Sequence, residues 1–403
     1  MYPRVKQLSI QVGLVFLILA LILPGSLSAQ DASGQEDNGQ KSFLPITRSG
    51  SDSVPDLTPD GIAIRIVPVE EQVQAKQYWT RDKYESAQLY DMSLPANRDA
   101  TQAMPNDSVD EAPVGEPSIF SGGLPNENAN EIARQLYADQ WRQIEALDQL
   151  GPTAANATNA PNLSDSIPYL PYTSYYVNTS ANTWQNYPWK TMGRLFFQIP
   201  GLSGGYTCSA SVAYRRSLWT TGHCLYTPGR GWHYNVVFVP AYRDGNAPYG
   251  SFTMQTYAVL NPWVDGYPAY DVGTAITDDQ NGHPVSWWVG YLGAAFNIAP
   301  WRLLYHSFGY PYNLGNDFDY LIACVGGRWV RDDEVGPDPV AIDCDMKGGS
   351  SGGPWLIEYA PFEDGSVNYV NGLNSYGYNG IDLMYSPYFG DNAKRIYDWG
   401  KQY

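Results

Sequence analysis

The strongest constraint on the fold of this chain is a succession of short β-prone segments that begins near residue 180 and continues almost to the C-terminus. The segments are rich in branched and aromatic residues and are bounded by Gly, Pro, Asn or Asp, as in RLFFQIP, YTCSASVAY, NVVFVPAY, SFTMQTYAVL and PWLIEY. About ten strands at this spacing predict an all-β barrel or sandwich. The final segment, DNAKRIYDWGKQY, predicts a C-terminal helix capped by Asp391.

The N-terminus has the layout of an export signal. Two basic residues precede the apolar run from Val12 to Leu23, and small residues follow it. We therefore predict a signal peptide at residues 1–29, cleaved after Ser28 or Ala29, and a secreted, extracellular protein. The rival interpretation is an uncleaved anchor, but this run is shorter than the roughly 20 residues that a membrane-spanning helix needs.

Residues 30–165 differ in composition from the segment that follows. Stretches such as QDASGQEDNGQ are polar and acidic, which predicts a largely disordered propeptide or N-terminal acidic region. One amphipathic helix at about residues 127–150 interrupts it. Its apolar face is formed by Ile132, Leu136, Tyr137, Trp141, Ile144 and Leu147. Such a face must pack against something, so we expect the helix to cover or assist the domain at residues 166–403.

The charge balance limits the possible partners. The 403 residues include 41 acidic and 24 basic side chains, for a formal net charge of -17. This argues against nucleic acid and anionic membranes as partners. We expect no nucleic acid partner, no membrane contact after signal cleavage, and a monomer.

The four cysteines all lie in the β-rich region, at Cys208, Cys224, Cys324 and Cys344. An even number in an exported protein favours disulfides, and four cysteines allow three connectivities. Pairing neighbours along the chain would close two short loops, each worth roughly 3 kcal/mol in the chain-entropy model. A zinc site is the alternative, but no CxxC and no closely spaced histidine pair accompany these cysteines. We therefore expect no metal and no other cofactor.

A candidate nucleophile motif stands in DCDMKGGSSGGPW, where Gly349, Ser351 and Gly353 satisfy G-x-S-x-G. In an α/β-hydrolase the catalytic histidine follows the serine, and no histidine follows Ser351 here. The order His, Asp, Ser remains possible, with His223 in WTTGHCL and Asp271 in PAYDVGTAIT. The alternative, a flexible glycine-serine loop, requires neither the histidine nor the aspartate.

Three motifs in this order resemble those of the chymotrypsin/trypsin-like serine peptidases: CSASVAYRRSLWTTGHC, YDVGTAI and GGSSGGP. The resemblance covers roughly residues 180–403. It is narrower for the bacterial glutamyl-endopeptidase-like secreted branch, in the cysteine seven places before the serine, the doubled GGSS and the late NSYG and SPYFG stretches. It implies two six-stranded antiparallel β-barrels with the site between them. It also implies secretion as a zymogen, and we expect the propeptide to end between residues 150 and 185.

The resemblance assigns catalytic roles residue by residue. Ser351 would be the nucleophile, His223 its general base, and Asp271 the group that orients the histidine. The backbone N–H groups of Gly349 and Ser351 would form the oxyanion hole. Ser350 would act as a spacer between these two donors.

Substrate-binding residues follow from the same resemblance. Ser375 would brace the aspartate, and Tyr376 and Gly377 would pair with the backbone of a protein or peptide substrate. Asp345 occupies the position where trypsin-like enzymes place the acid that selects Arg or Lys. Asn374 replaces the histidine with which glutamyl-type relatives bind a substrate carboxylate.

These two positions slightly favour a basic residue over Glu on the N-terminal side of the scissile bond, the P1 residue. Lys347 is a weak candidate for a cationic group that would bind a substrate carboxylate in place of that histidine. The sequence thus predicts a secreted serine endopeptidase. An inactive homologue acting as an extracellular binding module, or an adhesive surface protein, are the alternatives.

Overall fold

The computed structural model describes most of the chain from residue 56 onwards. The described residues are 56–58, 61–94, 115–150, 173–177, 183–301, 303–314, 320–327, 330–332, 335, 339–361 and 365–403. The predicted signal peptide lies outside them. Most of residues 150–185, where the propeptide is predicted to end, also lie outside the described residues.

The N-terminal region contains more regular structure than one helix. Its elements are β1 (Asp56–Leu57), β2 (Ile62–Ile66), α1 (Val69–Tyr78), α2 (Arg81–Glu85), β3 (Gln88–Leu89), β4 (Ser93–Leu94), β5 (Ser118–Phe120), α3 (Ala129–Leu136), α4 (Ala138–Leu150) and β6 (Thr173–Tyr176). The predicted helix is divided at Tyr137, whose φ of -120° and ψ of 38° end α3. Trp141 and Ile144 of its predicted apolar face are buried, whereas Leu136 is exposed.

The middle of the chain forms a closed barrel. Its strands are β7 (Met192–Gln198), β8 (Tyr206–Val212), β9 (Ser217–Thr220), β10 (Tyr226–Thr227), β11 (Gly231–Trp232), β12 (Tyr234–Pro240), β13 (Phe252–Leu260) and β14 (Gly273–Thr277). Six of them follow one another in the order β13-β12-β7-β8-β9-β14, and β14 pairs back onto β13. Every pair in this ring is antiparallel, which confirms the first predicted barrel.

The run VVFV of β12, Val236 to Val239, is apolar without alternation because both faces of the strand are covered. Val236 and Phe238 pack in one cluster with other barrel strands. Val237 and Val239 pack in a second cluster that includes Trp79 of the N-terminal region. A strand buried on both faces needs apolar residues at every position.

The remaining elements are α5 (Asn261–Val264), α6 (Val285–Val289), β15 (Gly293–Phe296), β16 (Tyr305–Gly309), β17 (Ile322–Gly326), β18 (Val330–Arg331), β19 (Val340–Asp343), β20 (Pro354–Ile357), β21 (Tyr369–Leu373), β22 (Gly377–Tyr378), β23 (Leu383–Ser386) and α7 (Asp391–Gly400). The all-β class with a C-terminal helix is confirmed. The helix is preceded by Gly390 at the cap position, and the Asp391 carboxylate accepts a hydrogen bond from Asn297 instead.

The second half differs in detail from a six-stranded antiparallel barrel. Its described strands form a seven-stranded sheet, β5-β15-β21-β20-β16-β17-β6, and a three-stranded sheet, β18-β19-β23. β15 and β21 are parallel. β5 and β6, which precede the first barrel in the chain, supply the two edges of the larger sheet.

The N-terminal region, predicted to be largely disordered, packs on the barrel and shares its core. β2 pairs with β13 along its whole length. The Trp79 indole donates to the carbonyl oxygen of Asn235, and the Trp141 indole donates to that of Pro248, both at 2.7 Å. No helix among the described residues has the length and apolar character needed to cross a membrane.

Candidate active site

His223 and Asp271 meet because their strands are neighbours. His223 lies in a short 3₁₀ turn directly after β9, and Asp271 stands just before β14, where Thr220 pairs with Gly273. His223 Nδ1 is 2.7 Å from Oδ2 of Asp271, and the His223 backbone N–H donates to Oδ1, also at 2.7 Å. Both side chains are buried. The backbone bond and the ring bond together fix the orientation of the imidazole.

Ser375 completes this arrangement from the other half of the molecule. Its hydroxyl donates to Oδ2 of Asp271 at 2.6 Å. Asp271 therefore accepts from three donors, as a buried carboxylate requires. A neutral imidazole that donates its Nδ1 N–H to this carboxylate has Nε2 as its acceptor atom.

The glycines around Ser351 create a tightly packed turn. Gly349 and Gly352 have φ of +91° and +82°, a region that other residues rarely adopt. A side chain on Gly352 would collide with the Thr220 hydroxyl and the Ser209 carbonyl. The Ser351 carbonyl accepts a 2.7 Å hydrogen bond from the Ser209 N–H. The segment is therefore held against the first barrel and is not a flexible linker.

The two adjacent serines have different environments. The Ser350 hydroxyl donates to the Lys347 carbonyl at 2.8 Å and closes the turn. Both serines line the cavity beside this turn, but the Ser351 hydroxyl makes no hydrogen bond within the turn. Among the described residues, neither the Gly349 N–H nor the Ser351 N–H donates a hydrogen bond. Both amides can therefore receive an oxyanion.

The Ser351 hydroxyl faces a group from the N-terminal region. It donates to the carbonyl oxygen of Tyr90 at 3.5 Å. Nε2 of His223 has no hydrogen-bond partner among the described residues. The hydrogen bond between nucleophile and base is thus absent in this arrangement.

The chain matches solved proteases over nearly their whole length, although no family model matches it. Protease Anisep from Arthrobacter nicotinovorans is 34% identical, with 54% of this chain and 97% of that chain covered and a TM-score of 0.48. The thermostable serine protease AL20 from an extremophilic microorganism is 30% identical, with 53% and 98% covered and a TM-score of 0.47. The sequence identity over this coverage decides the family. The chain belongs to the chymotrypsin-like serine proteases.

Two further relatives are more distant. A Glu endopeptidase solved in complex with MPD is 20% identical, with 57% of this chain and 97% of that chain covered and a TM-score of 0.45. A curated protein of Bacillus subtilis (strain 168), named an extracellular metalloprotease, is 21% identical over 168 residues. The match covers 41% of this chain and 48% of the relative, so the chain spans about half the length of that curated relative.

The cysteines of this serine protease family member are paired locally. Cys208 is bonded to Cys224 and Cys324 to Cys344, as the pairing of neighbours along the chain predicts. The first disulfide attaches β8 to the turn that carries His223. It therefore restrains the backbone of the candidate base.

Potential metal ligands cluster at both disulfides. Among the described residues, one group combines His223 with the first cystine, and the other combines Asp345 with the second. A bridged sulfur is not the thiolate that zinc binds. His223 also directs Nδ1 to Asp271. The donor sets of both groups fit disulfides rather than a metal centre.

Another histidine near the cleft has a structural role. His233 lies against the Phe197 ring, and its nitrogens contact the Thr227 hydroxyl and the Cys224 carbonyl. Burial lowers the pKa of His233 to about 3. It is therefore neutral at ordinary pH and holds the segment after His223 in place.

Asp345, predicted as a substrate-binding acid, is engaged by residues outside the cavity beside Ser351. Its carboxylate accepts from the Ser174 hydroxyl at 2.5 Å, and its carbonyl accepts from the Asn313 side chain at 2.6 Å. Asp345 is buried, and burial raises the pKa of its carboxyl group. It is not among the residues that line the cavity beside Ser351. The hydroxyl on β6 directs this carboxylate away from the cavity.

Asn374 also lies outside the cavity. Its side-chain oxygen accepts from the Ser307 hydroxyl and the Trp355 indole at 2.6 and 2.7 Å. Its amide nitrogen donates to the carbonyls of Phe308 and Ser350 at 3.0 and 3.2 Å. The residue thus stabilises the serine turn through the Ser350 carbonyl, and its predicted contact with substrate stays a prediction.

A cavity of about 150 Å³ lies beside Ser351. Ser375, Tyr376 and Gly377, which the sequence analysis assigns to substrate binding, are among the residues that line it. Its charged lining residues are Lys347 and Asp91. The Lys347 ammonium donates to the Ile381 carbonyl at 2.9 Å and lies 3.3 Å from an Asp382 oxygen.

Sequence reasoning did not place any N-terminal residue at this site. Tyr90 and Asp91 reach it from a segment that composition assigned to a disordered region. The available signal was QLYDMSL, a short run in which apolar and polar residues alternate within a polar stretch. The run is too short to predict its pairing partner.

Proposed function

We propose that this chain is a secreted serine endopeptidase in which Ser351, His223 and Asp271 form the catalytic triad. The observation that carries the proposal is the buried hydrogen-bond chain from Ser375 through Asp271 to His223, beside a serine held in a glycine turn. Membership of the serine protease family supports it. Such an arrangement orients a histidine as a general base.

The chemistry proceeds in two steps. Ser351 Oγ attacks the carbonyl carbon of the scissile bond while its proton passes to Nε2 of His223. The imidazolium, stabilised by Asp271, then gives that proton to the departing amine and leaves an acyl group on Ser351. A water molecule activated by the same histidine hydrolyses the ester and restores the serine.

The oxyanion of each tetrahedral intermediate is stabilised by backbone N–H groups. Gly349 and Ser351 provide them, and neither donates elsewhere within the described residues. Losing one such donor typically costs about 2.7 to 4 kcal/mol of transition-state stabilisation. The positive φ of Gly349 sets the direction of these amides.

The cavity favours an acidic P1 side chain over the basic one that the sequence suggested. Asp345 points to Ser174, whereas Lys347 lines the cavity together with several hydroxyl groups. The other charged lining residue, Asp91, belongs to the N-terminal region and would leave with it. An ammonium and hydroxyls are donors suited to a carboxylate.

Protein or peptide substrates and an extracellular location fit the same proposal. The curated relative from Bacillus subtilis is named as extracellular. The net charge of -17 would repel nucleic acid, so we expect no nucleic acid partner. Removal of residues 30–165 as a propeptide, and a monomeric state, complete the proposal.

Labelling with a fluorophosphonate probe tests the assignment. The secreted, processed protein should be labelled, and Ser351→Ala should abolish the labelling. Ser350→Ala is the matched control and should still be labelled, because that hydroxyl bonds to the Lys347 carbonyl. Labelling that survives Ser351→Ala would refute the role of this serine.

Two further outcomes separate the alternatives. An unlabelled processed protein that still binds peptides would favour the inactive binding module. Peptidase activity abolished by a chelator and restored by zinc would favour metal-dependent chemistry. The proposal expects activity that a chelator leaves unchanged.

A further inference from the structure

A segment of the N-terminal region crosses the candidate active-site cleft. We name residues Gln88–Leu94 the strap. Its first two residues form β3, which pairs in parallel with β8 of the first barrel, and its last two form β4, which pairs in parallel with β22. The pairs are Gln88 with Tyr206, Leu89 with Thr207, Ser93 with Gly377 and Leu94 with Tyr378. The strap is therefore bound on both sides of the cleft.

The centre of the strap lies against the catalytic residues. The Tyr90 N–H donates to the Thr207 carbonyl at 3.1 Å, and its phenol oxygen is 2.8 Å from the Thr227 hydroxyl. The ring centroids of Tyr90 and His223 are 5.6 Å apart. The Tyr90 carbonyl accepts from the Ser351 hydroxyl.

The residues on either side of Tyr90 pack on the serine turn. Leu89 lies against Gly349, and Asp91 lies against Gly348 and lines the same cavity as Lys347. These contacts place the strap against the turn that carries the proposed oxyanion donors. A substrate cannot occupy the same space.

We propose that the cleft is a binding site for the strap, and that the strap acts as an intramolecular inhibitor of the full-length chain. This inference rests on the proposed serine peptidase function. Two effects combine: the strap occupies the cleft beside Ser351 and lines its cavity with Asp91, and its Tyr90 carbonyl is the acceptor that the Ser351 hydroxyl faces.

The strap is bound in a way that resists cleavage. Attack requires the carbonyl carbon to face Ser351 Oγ, with the carbonyl oxygen on the N–H groups of Gly349 and Ser351. Here the Tyr90 carbonyl oxygen accepts from the nucleophile itself. The nearest peptide bond of the strap is thus not oriented for attack by Ser351.

Cutting the chain after the strap does not by itself release it. The preceding helices bury Trp79 and Tyr84 against the barrel, and Gly205 packs on the Trp79 ring. β2 adds a further antiparallel pairing to β13. The N-terminal fragment therefore stays bound after a cut, and full activity appears only when it dissociates or is degraded.

Two substitutions of one strap residue test the proposal in the full-length chain. Tyr90→Pro removes the N–H that bonds to Thr207, whereas Tyr90→Phe keeps the backbone and loses only the phenol oxygen. We expect fluorophosphonate labelling of uncut Tyr90→Pro to be about tenfold faster than labelling of uncut wild type. Tyr90→Phe, which keeps the backbone pairing and the ring, should speed labelling less than Tyr90→Pro does. Equal rates for a folded Tyr90→Pro and wild type would overturn the proposal.

A measurement without activity separates this inference from the proposed function. In the full-length Ser351→Ala chain, hydrogen exchange should show a protected amide at Tyr90. Exchange there at the rate of an unstructured peptide would refute strap binding, even in an active enzyme. Another outcome is that the amide is protected while no probe labels the processed wild-type protein. This outcome would support binding of the strap. It would overturn both the inhibitory role and the endopeptidase proposal.

Discussion

The Ser375 hydroxyl and the Asp271 carboxylate, 104 residues apart in the chain, are joined by a 2.6 Å hydrogen bond. This bond connects the two halves of the molecule at the candidate triad. It leaves Asp271 with donors on both oxygens and no access to solvent. The carboxylate can therefore orient His223 without rotating.

Replacing Asp271 with Asn should reduce kcat on the order of 10⁴-fold, because an amide no longer holds the tautomer that presents a basic Nε2. Steady-state kinetics of the processed enzyme on a peptide substrate would measure it. Asp279→Asn is the matched control, since that residue pairs with Arg216 on the surface. A kcat within tenfold of wild type for Asp271→Asn would contradict its proposed role.

Replacing Lys347 with Met should reduce kcat/KM for substrates with Glu or Asp at P1 by about 10- to 100-fold, the worth of a charge-assisted hydrogen bond. Substrates with a neutral P1 residue should change much less. A peptide library with varied P1 residues would measure both. Lys394→Met, which alters a surface pair with Asp398, is the control. A wild-type preference for Arg or Lys at P1 would show that the acidic assignment is wrong.

Asp332 should position the substrate-binding strand. One of its carboxylate oxygens accepts from the Tyr376 hydroxyl at 3.0 Å and from the Tyr378 hydroxyl at 2.6 Å. We expect Asp332→Ala to raise KM about tenfold with little change in kcat, because the strand loses two restraints but the triad is intact. Asp332→Asn, which keeps an acceptor, should recover part of the loss. A fall in kcat at constant KM would instead indicate damage to the catalytic residues.

Lys190 should make the stability of the full-length chain depend on pH. It is buried against Asn130 of α3, with a 2.8 Å hydrogen bond, and burial lowers its pKa to about 7. Between this value and the ordinary lysine pKa near 10.5, the unfolded chain binds the proton and the folded chain does not. Stability should therefore rise with pH from about 7 to 10, by about 3 to 5 kcal/mol at most.

The comparison for this prediction is Lys190→Met in a Ser351→Ala background, which prevents self-cleavage. Thermal unfolding at several pH values should show the rise in the parent and a smaller slope in the variant. Parallel curves for the two proteins would mean that Lys190 does not carry the effect.

The parts of the fold that the sequence predicted correctly depend on local patterns. Alternating β-prone runs and turn residues predict strands whatever their neighbours are, and the first closed barrel and the C-terminal helix are confirmed. Of the three connectivities that the sequence allowed, the structure has the pairing of neighbours, such as Cys208 with Cys224. The family follows from three motifs in a fixed order. The roles of His223, Asp271 and Ser351 stay predictions, supported by their geometry.

The N-terminal region could not be predicted in the same way. Its apolar residues, such as Trp79 and Tyr84, are too sparse to build a core, so composition indicates disorder. They are buried because the outer surface of the barrel supplies the other half of the contact. Their burial depends on contact between two segments, so neither segment's sequence predicts it alone.

By itself, the sequence determined the fold class, the family and the residue types that the proposed chemistry requires, because turns, strand patterns and motifs depend on near neighbours. Only the tertiary structure decided that Asp345 faces Ser174 and that Lys347 faces the cavity, since these directions depend on contacts with β6 and with the segment around Asp382. It also decided that Tyr90, 261 residues before Ser351, contacts the proposed nucleophile. Pairing between distant strands is set by whole sheets, and no short stretch of sequence encodes it.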